Sequence, residues 1–187
     1  MNGFTYNDTF VEEVVARRDI PSWKPIRLGT NVVTFLLGVI FVIILPAVTQ
    51  APQVVFAVLL LFLGFGLLSY HYSYYLQVEF EYAMTNKDLD FFVIYAQKKR
   101  KNLLSFQVED IVVCAPSMTK WVRPYAGSGI KTFDCTSHRE GTPFYTLIYF
   151  DRKKGENRRV FFEPKEALLS AMKRQAPQKI FITENDE

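Results

Sequence analysis

The residues with the widest chemical reach in this chain are Cys135 and His138, in a Cys-x-x-His spacing, together with Cys114 and His71, the only other cysteine and histidine. Such a set raises two chemistries, a metal site and a thiol nucleophile. Zinc takes three or four ligands of this kind, so a site would use nearly the whole inventory, including His71 from a long apolar segment. A thiol nucleophile needs a base and an electropositive setting, and His138 supplies a base only if its turn folds back over Cys135. The simpler reading makes Cys135 a small core residue at a strand end and His138 a solvated turn residue. No phosphate-cradling glycine loop, metalloprotease pair or serine elbow occurs, and Gly127-Ser128-Gly129 reads as a loop end. These residues point to no enzyme, no cofactor and no metal, leaving a thiol enzyme using Cys135 as the catalytic alternative.

A second group can contact phosphate: Lys98-Lys99-Arg100-Lys101, then Lys120, Trp121 and Arg123, then Arg152-Lys153-Lys154. Basic side chains with aromatics nearby suit either nucleic acid or an anionic lipid surface. A formal charge of only +3 lacks the basic face of a nucleic-acid binder, so no nucleic acid is expected.

The elements that must position these groups start at a membrane. From Leu28 to Val78 there is no Lys, Arg, Asp or Glu. The apolar runs Leu28 to Val48 and Val54 to Tyr72 each approach the roughly 20 residues that cross a bilayer. They read as a two-helix transmembrane hairpin over residues 28–75, broken at Thr49-Gln50-Ala51-Pro52-Gln53. Arg17, Arg18, Lys24 and Arg27 precede it, Lys87 and Lys98 to Lys101 follow it, and the connection has no basic residue. The positive-inside rule then puts both termini in the cytoplasm of a bacterial cell, with the cysteines reduced. Trp23, Tyr70, Tyr72, Tyr74 and Tyr75 are placed as interface anchors. Gly38, Ala57, Gly64 and Gly66 permit close helix contact, within the hairpin or with another membrane protein. With His71 its only ionisable group, the hairpin lacks the marks of an ion pathway.

Residues 1–27 form a cytoplasmic segment in which Asp8 or Thr9 caps a short amphipathic helix bearing Phe10, Val11, Val14 and Val15 on one face. That helix either lies on the membrane or packs on the soluble domain, and Pro21 and Pro25 break it from the first spanning helix. From 76 to 187 the period changes to two, with Val78, Phe80 and Tyr82 alternating with Glu79, Glu81 and Ala83. Further strands are predicted at Leu89 to Gln97, Asn102 to Val108, Ile111 to Ala115, Ile130 to Cys135, Phe144 to Phe150 and Arg158 to Glu163. Pro164 opens a helix carrying Ala167, Leu168, Ala171 and Met172, which Pro177 stops.

Seven antiparallel strands and a terminal helix, with the stretches Tyr82-Ala83-Met84-Thr85-Asn86-Lys87-Asp88-Leu89 and Val108-Glu109-Asp110-Ile111-Val112-Val113, resemble the bacterial pleckstrin-homology-like (PH-like) domains. Asp88 stands where many of them carry Arg, which withholds a turn function but not the fold. With the hairpin in front and Gly129-Ile130-Lys131-Thr132-Phe133-Asp134-Cys135 and Tyr145-Thr146-Leu147-Ile148-Tyr149 behind, the chain is similar to an uncharacterised bacterial membrane-protein family. The fold class expected is a membrane α-helical hairpin plus a mainly-β domain, a seven-stranded antiparallel PH-like barrel or sandwich capped by a helix.

In a simple meander every second turn faces the bilayer. The near turns would be 98–101, 116–128 and 151–157, carrying +7, and the far turns 86–88, 109–110 and 136–143, carrying −2. Lys98, Lys99, Arg100 and Lys101, helped by Lys120, Trp121, Arg123, Arg152, Lys153 and Lys154, are therefore expected to contact anionic lipid head groups nonspecifically. The function expected is a membrane-anchored, non-enzymatic module for interaction or assembly at the inner leaflet, with a protein partner and possible homo-oligomers. Partner contact is expected at Ile130 to Cys135 or Ala167 to Arg174, a sheet edge or helix groove. The alternative is an accessory subunit whose hairpin binds a membrane enzyme or transporter.

Overall fold

The computed structural model describes residues 10–18, 23–44, 52–127 and 129–183; within its long helices, the side chains of 23, 24, 26, 27, 44, 52 and 72–76 lie outside that description. The elements are β1 (Phe10–Ala16), α1 (Trp23–Ile44), α2 (Pro52–Leu76), β2 (Val78–Thr85), β3 (Asp88–Tyr95), β4 (Lys99–Gln107), β5 (Ile111–Pro116), β6 (Lys131–Asp134), β7 (Tyr145–Asp151), β8 (Glu156–Phe162) and α3 (Glu166–Gln175). Two compact units result: residues 1–18, 79–94 and 98–187 form one, and 19–78 with 95–97 form the other.

The first unit corrects the reading of the N-terminal segment. Phe10 to Ala16 form a strand, not a short amphipathic helix, and pair antiparallel with β2 along their whole length, from Phe10 opposite Thr85 to Ala16 opposite Glu79. Helical spacing in so short a run is ambiguous. The β-branched Val11, Val14 and Val15 favour a strand once β2 offers an unpaired edge. The PH-like domain is therefore discontinuous in sequence, with α1 and α2 inserted between two strands that are neighbours in one sheet.

That sheet has the order β1-β2-β3-β4, and a second has the order β5-β7-β8-β6. Among the described residues each sheet has four strands, one of them contributed by Phe10–Ala16, and the two sheets do not close into a barrel. The expected all-antiparallel pattern fails at β6, which runs parallel to β8 from Lys131 opposite Arg158 to Asp134 opposite Phe161. Both sides of β7 are occupied, by β5 and β8, so β6 must take the outer side of β8. The long connections on either side of β6 let the chain cross to that edge, which a tight turn could not do.

The core between the sheets is aromatic. Phe91 lies 5.4 Å from Tyr82 and 5.6 Å from Phe162, centroid to centroid, and Phe106 stacks on Tyr149 at 3.9 Å. Helix α3 closes it with buried Leu168, Leu169, Ala171 and Met172. Tyr82 is fully buried, and its hydroxyl donates to the Cys135 carbonyl at 2.5 Å and accepts the Glu163 N–H at 3.4 Å. It thereby joins β2 to the end of β6 and of β8. Buried Glu13 on β1 accepts the Lys165 N–H at 2.8 Å, capping α3 from a distant strand. Tyr82→Phe leaves a buried carbonyl and N–H short of a partner and is expected to cost about 2 kcal/mol. Urea unfolding of the detergent-solubilised chain measures this; a cost below about 0.5 kcal/mol would remove the hydroxyl from the account.

In the second unit α1 and α2 pack against each other. α1 begins at Trp23, before the proline expected to delay it, because Pro25 lies in the first turn, where an N–H has no helical partner anyway. A Cβ on Gly38 would stand 3.2 Å from the Phe62 ring, so this glycine permits the helix contact, whereas Gly64 and Gly66 face open space. Ser69 hydrogen-bonds Asn31 across the pair. In α2 the stretch Gln53–His71 has mean hydropathy 2.2 and the length and composition to cross a membrane, with none of it buried. Leu28–Ile43 of α1 is shorter, and the sequence stays apolar through Val48. The predicted connection lies largely within residues 45–51, outside the described residues.

Candidate lipid-facing surface

The β3–β4 turn, residues 96–98, is built on Ala96 and Gln97, both at positive φ (49° and 56°), a geometry that tight hairpin turns use and non-glycine residues resist. The Ala96 N–H donates to the Gln77 carbonyl at 2.7 Å, tying the turn to the residue that ends the hairpin. The turn displays Lys98, Lys99 and Lys101, all exposed. Arg100 is different. Its guanidinium pairs with Glu81, whose side chain is only 5% exposed, and sits 3.6 Å from the centre of the Phe92 ring. One of the four expected lipid contacts is thus committed to the fold. Glu81 itself, read as a solvent-facing member of an alternating strand, is buried.

The second basic group lies in the loop 117–130. Val122 plugs into a cluster with Val113, Ala115 and Ile148, while Trp121 stacks on Phe181 at 4.1 Å. Lys120 Nζ is 4.7 Å above the Trp121 ring, and Arg123 is exposed on a short turn. Trp121 is therefore half-buried packing rather than a free contact.

The third group is misplaced by the meander. Because β7 runs from its pairing with Pro116 towards its pairing with Ile111, the turn after it lies at the Ile111 end of the sheet. There Arg152 pairs with Asp110 at 2.5 Å, on the side expected to face away from the bilayer. Lys87 pairs with Glu109 at 2.6 Å at this same end, holding the Glu109 carboxyl below its ordinary range. Conversely the loop 136–143 lies beside the end of β1, where the Arg18 N–H donates to the Ser137 carbonyl at 2.6 Å. Exchanging the two leaves the end with 98–101, 116–128 and 136–143 at +6 and the other at −1, so the asymmetry survives without Arg152, Lys153 and Lys154.

Of the interface anchors, Tyr70 is exposed on α2, and the side chains of Trp23, Tyr72, Tyr74 and Tyr75 lie outside the described residues. Cys114 and Cys135 are fully buried free thiols. Burial, with Asp134 nearby, pushes the Cys135 thiol up to about 12, and burial pushes Cys114 higher still. His138 is exposed, and its Nε2 lies 3.2 Å from an Asp134 carboxylate oxygen. The geometry offers this Cys-x-x-His pair no activated nucleophile, since a thiolate is disfavoured where Cys135 sits. The predicted partner regions divide. β6 is the outer strand of its sheet, while the apolar face of α3 is buried against the domain.

Two facing antiparallel-rich sheets closed by a C-terminal helix, with cationic hairpin tips, define a PH-like domain. The chain belongs to the family described as a bacterial PH-like domain (DUF6106), whose model matches residues 7–182 and so runs through the helical insertion as well. No curated protein and no solved structure matches it.

Proposed function

We propose that this protein is a membrane-anchored, non-enzymatic interaction module of the bacterial inner leaflet, whose helical pair crosses the membrane and whose PH-like domain recruits or assembles other proteins. The observation that carries the reading is the insertion of two solvent-exposed apolar helices between paired strands β1 and β2. Phe35 is 71% exposed, Val42 70% and Leu67 69%, a surface that water does not tolerate and hydrocarbon does. The antiparallel pairing of β1 with β2 has the chain leave and return at one end of the sheet, which supports a reading with β1 and β2 on the same side of the bilayer. Lys98, Lys99 and Lys101, with Lys120 and Arg123, then hold the domain to anionic phosphates, each worth about 1 kcal/mol near the surface. Tethering makes such weak contacts effective.

The test reconstitutes the full chain in nanodiscs of phosphatidylcholine with or without phosphatidylglycerol and follows hydrogen exchange of residues 96–101. Slower exchange in the anionic discs, lost at high salt and in a Lys98→Ser/Lys99→Ser/Lys101→Ser variant, is the expected result. Exchange that ignores lipid charge would leave these lysines as solvated tips. A second reading, the accessory subunit, draws on an open apolar groove of ≈ 770 Å³ along the helical pair, lined by Phe35, Gly38, Leu59 and Phe62 among others. Exchanging the helical pair for an unrelated one discriminates them: partner capture that survives assigns recognition to the domain, and its loss assigns it to the helices.

A further inference from the structure

We propose that Met118 is a membrane-inserting tip, entering the apolar interface of an anionic leaflet while Lys120 and Arg123 engage the head-group phosphates around it. This deepens the membrane reading above and rests on it. Met118 is 93% exposed, the most exposed large apolar side chain among the described residues. It is held outward by a backbone in the left-handed region, φ 72°, which an unbranched side chain resists without compensation. The surrounding bonds supply that compensation: the Ser117 N–H donates to the Phe144 carbonyl at 3.0 Å, and the Thr119 hydroxyl donates to the Pro116 carbonyl at 2.8 Å. These bonds anchor the backbone on both sides of Met118.

Behind the tip an open groove of ≈ 410 Å³ continues the apolar surface through Val122, Phe144 and Phe161. The cations that follow Met118 in the loop are unneutralised: among the described residues neither Lys120 nor Arg123 forms an ion pair, whereas Arg152 and Arg158 at the opposite end of the strands are both paired to carboxylates. An apolar tip ringed by unneutralised cations complements an anionic bilayer surface, hydrocarbon beneath phosphate, better than a uniformly charged or uniformly apolar partner. The loop also begins at the end of its sheet next to Phe144 and the 137–143 loop, the loop bonded to Arg18 where β1 ends.

The full chain carrying Met118→Cys, labelled with an environment-sensitive fluorophore, tests this in vesicles of phosphatidylcholine with or without phosphatidylglycerol, each containing nitroxide-labelled lipid. The native thiols are buried and leave position 118 as the reactive one. A companion Leu36→Cys probe on α1 reports the helical pair. The expected result is blue-shifted, nitroxide-quenched emission at 118 in the anionic vesicles, lost when Lys120 and Arg123 are replaced by serine. Aqueous, unquenched emission at 118 in anionic vesicles, with the Leu36 probe quenched, overturns the inference and spares the membrane reading. An unquenched Leu36 probe overturns both.

Discussion

Arg100→Ala is expected to destabilise the protein by about 2–3 kcal/mol, while replacing Lys98, Lys99 and Lys101 together changes stability by less than about 0.5 kcal/mol. The four residues look interchangeable in sequence, yet only Arg100 holds a carboxylate that water cannot reach, since the Glu81 side chain is 5% exposed. Removing one partner of a buried pair strands the other charge, at a typical cost of about 3–5 kcal/mol. The estimate here is lower because the arginine side chain is itself 51% exposed and part of the attraction is screened. Loss of its packing over Phe92 adds to the effect. Restoring most of the stability with Glu81→Gln in the Arg100→Ala background would identify the stranded charge as the cause. Urea unfolding in detergent decides the matter: equal, small effects for arginine and lysine replacements would mean that Glu81 finds water. The consequence for function is direct. A lipid-binding test that neutralises all four residues mixes unfolding with lost contact, so the three lysines are the informative set.

Raising the pH from 9 to 11 under reducing conditions is expected to remove about 2 kcal/mol of stability for each of Cys114 and Cys135. The ordinary thiol value is 9.0, and burial places both folded thiols well above it. A raised folded value means that the unfolded chain loses its proton first. The stability these groups contribute is therefore complete below about 9 and falls as pH rises towards 12, where Cys135 begins to ionise in place. Tyr82, also pushed up by burial, steepens the fall above its ordinary value of 10.0. Replacing Cys114 by alanine should lower the slope by about one proton, or about 1.4 kcal/mol per pH unit, whatever its effect on stability at neutral pH. A slope unchanged in both single-cysteine variants would mean that the thiols ionise in the folded state, and would reopen Cys135 to chemistry.

The sequence made the helical pair legible because a run without charge is a local property, visible without knowing any partner. The strands β3, β4, β5, β7 and β8 and the helix α3 were legible for a similar reason: period, turn residues and Pro164 all act within a few residues. What it could not carry were pairings between distant segments. The strand at Phe10–Ala16 has the apolar spacing of a short helix until β2, more than sixty residues later, supplies an edge. Glu81 reads as solvent-facing until Arg100 closes over it, and Trp121 likewise reads as free until Phe181 stacks on it.

By itself, then, the sequence determined composition-driven features: an apolar helical pair, a β-rich domain with a terminal helix of the bacterial PH-like kind, and basic residues clustered in a few turns. Only the tertiary structure decided which turns share an end. The parallel pairing of β6 with β8 shifts the order by one strand, placing Arg152 beside Asp110 and bringing the 136–143 loop to the end of β1. Strand order is set by which edges remain unpaired after the sheet assembles, a property of long-range hydrogen bonding that no local stretch of residues contains.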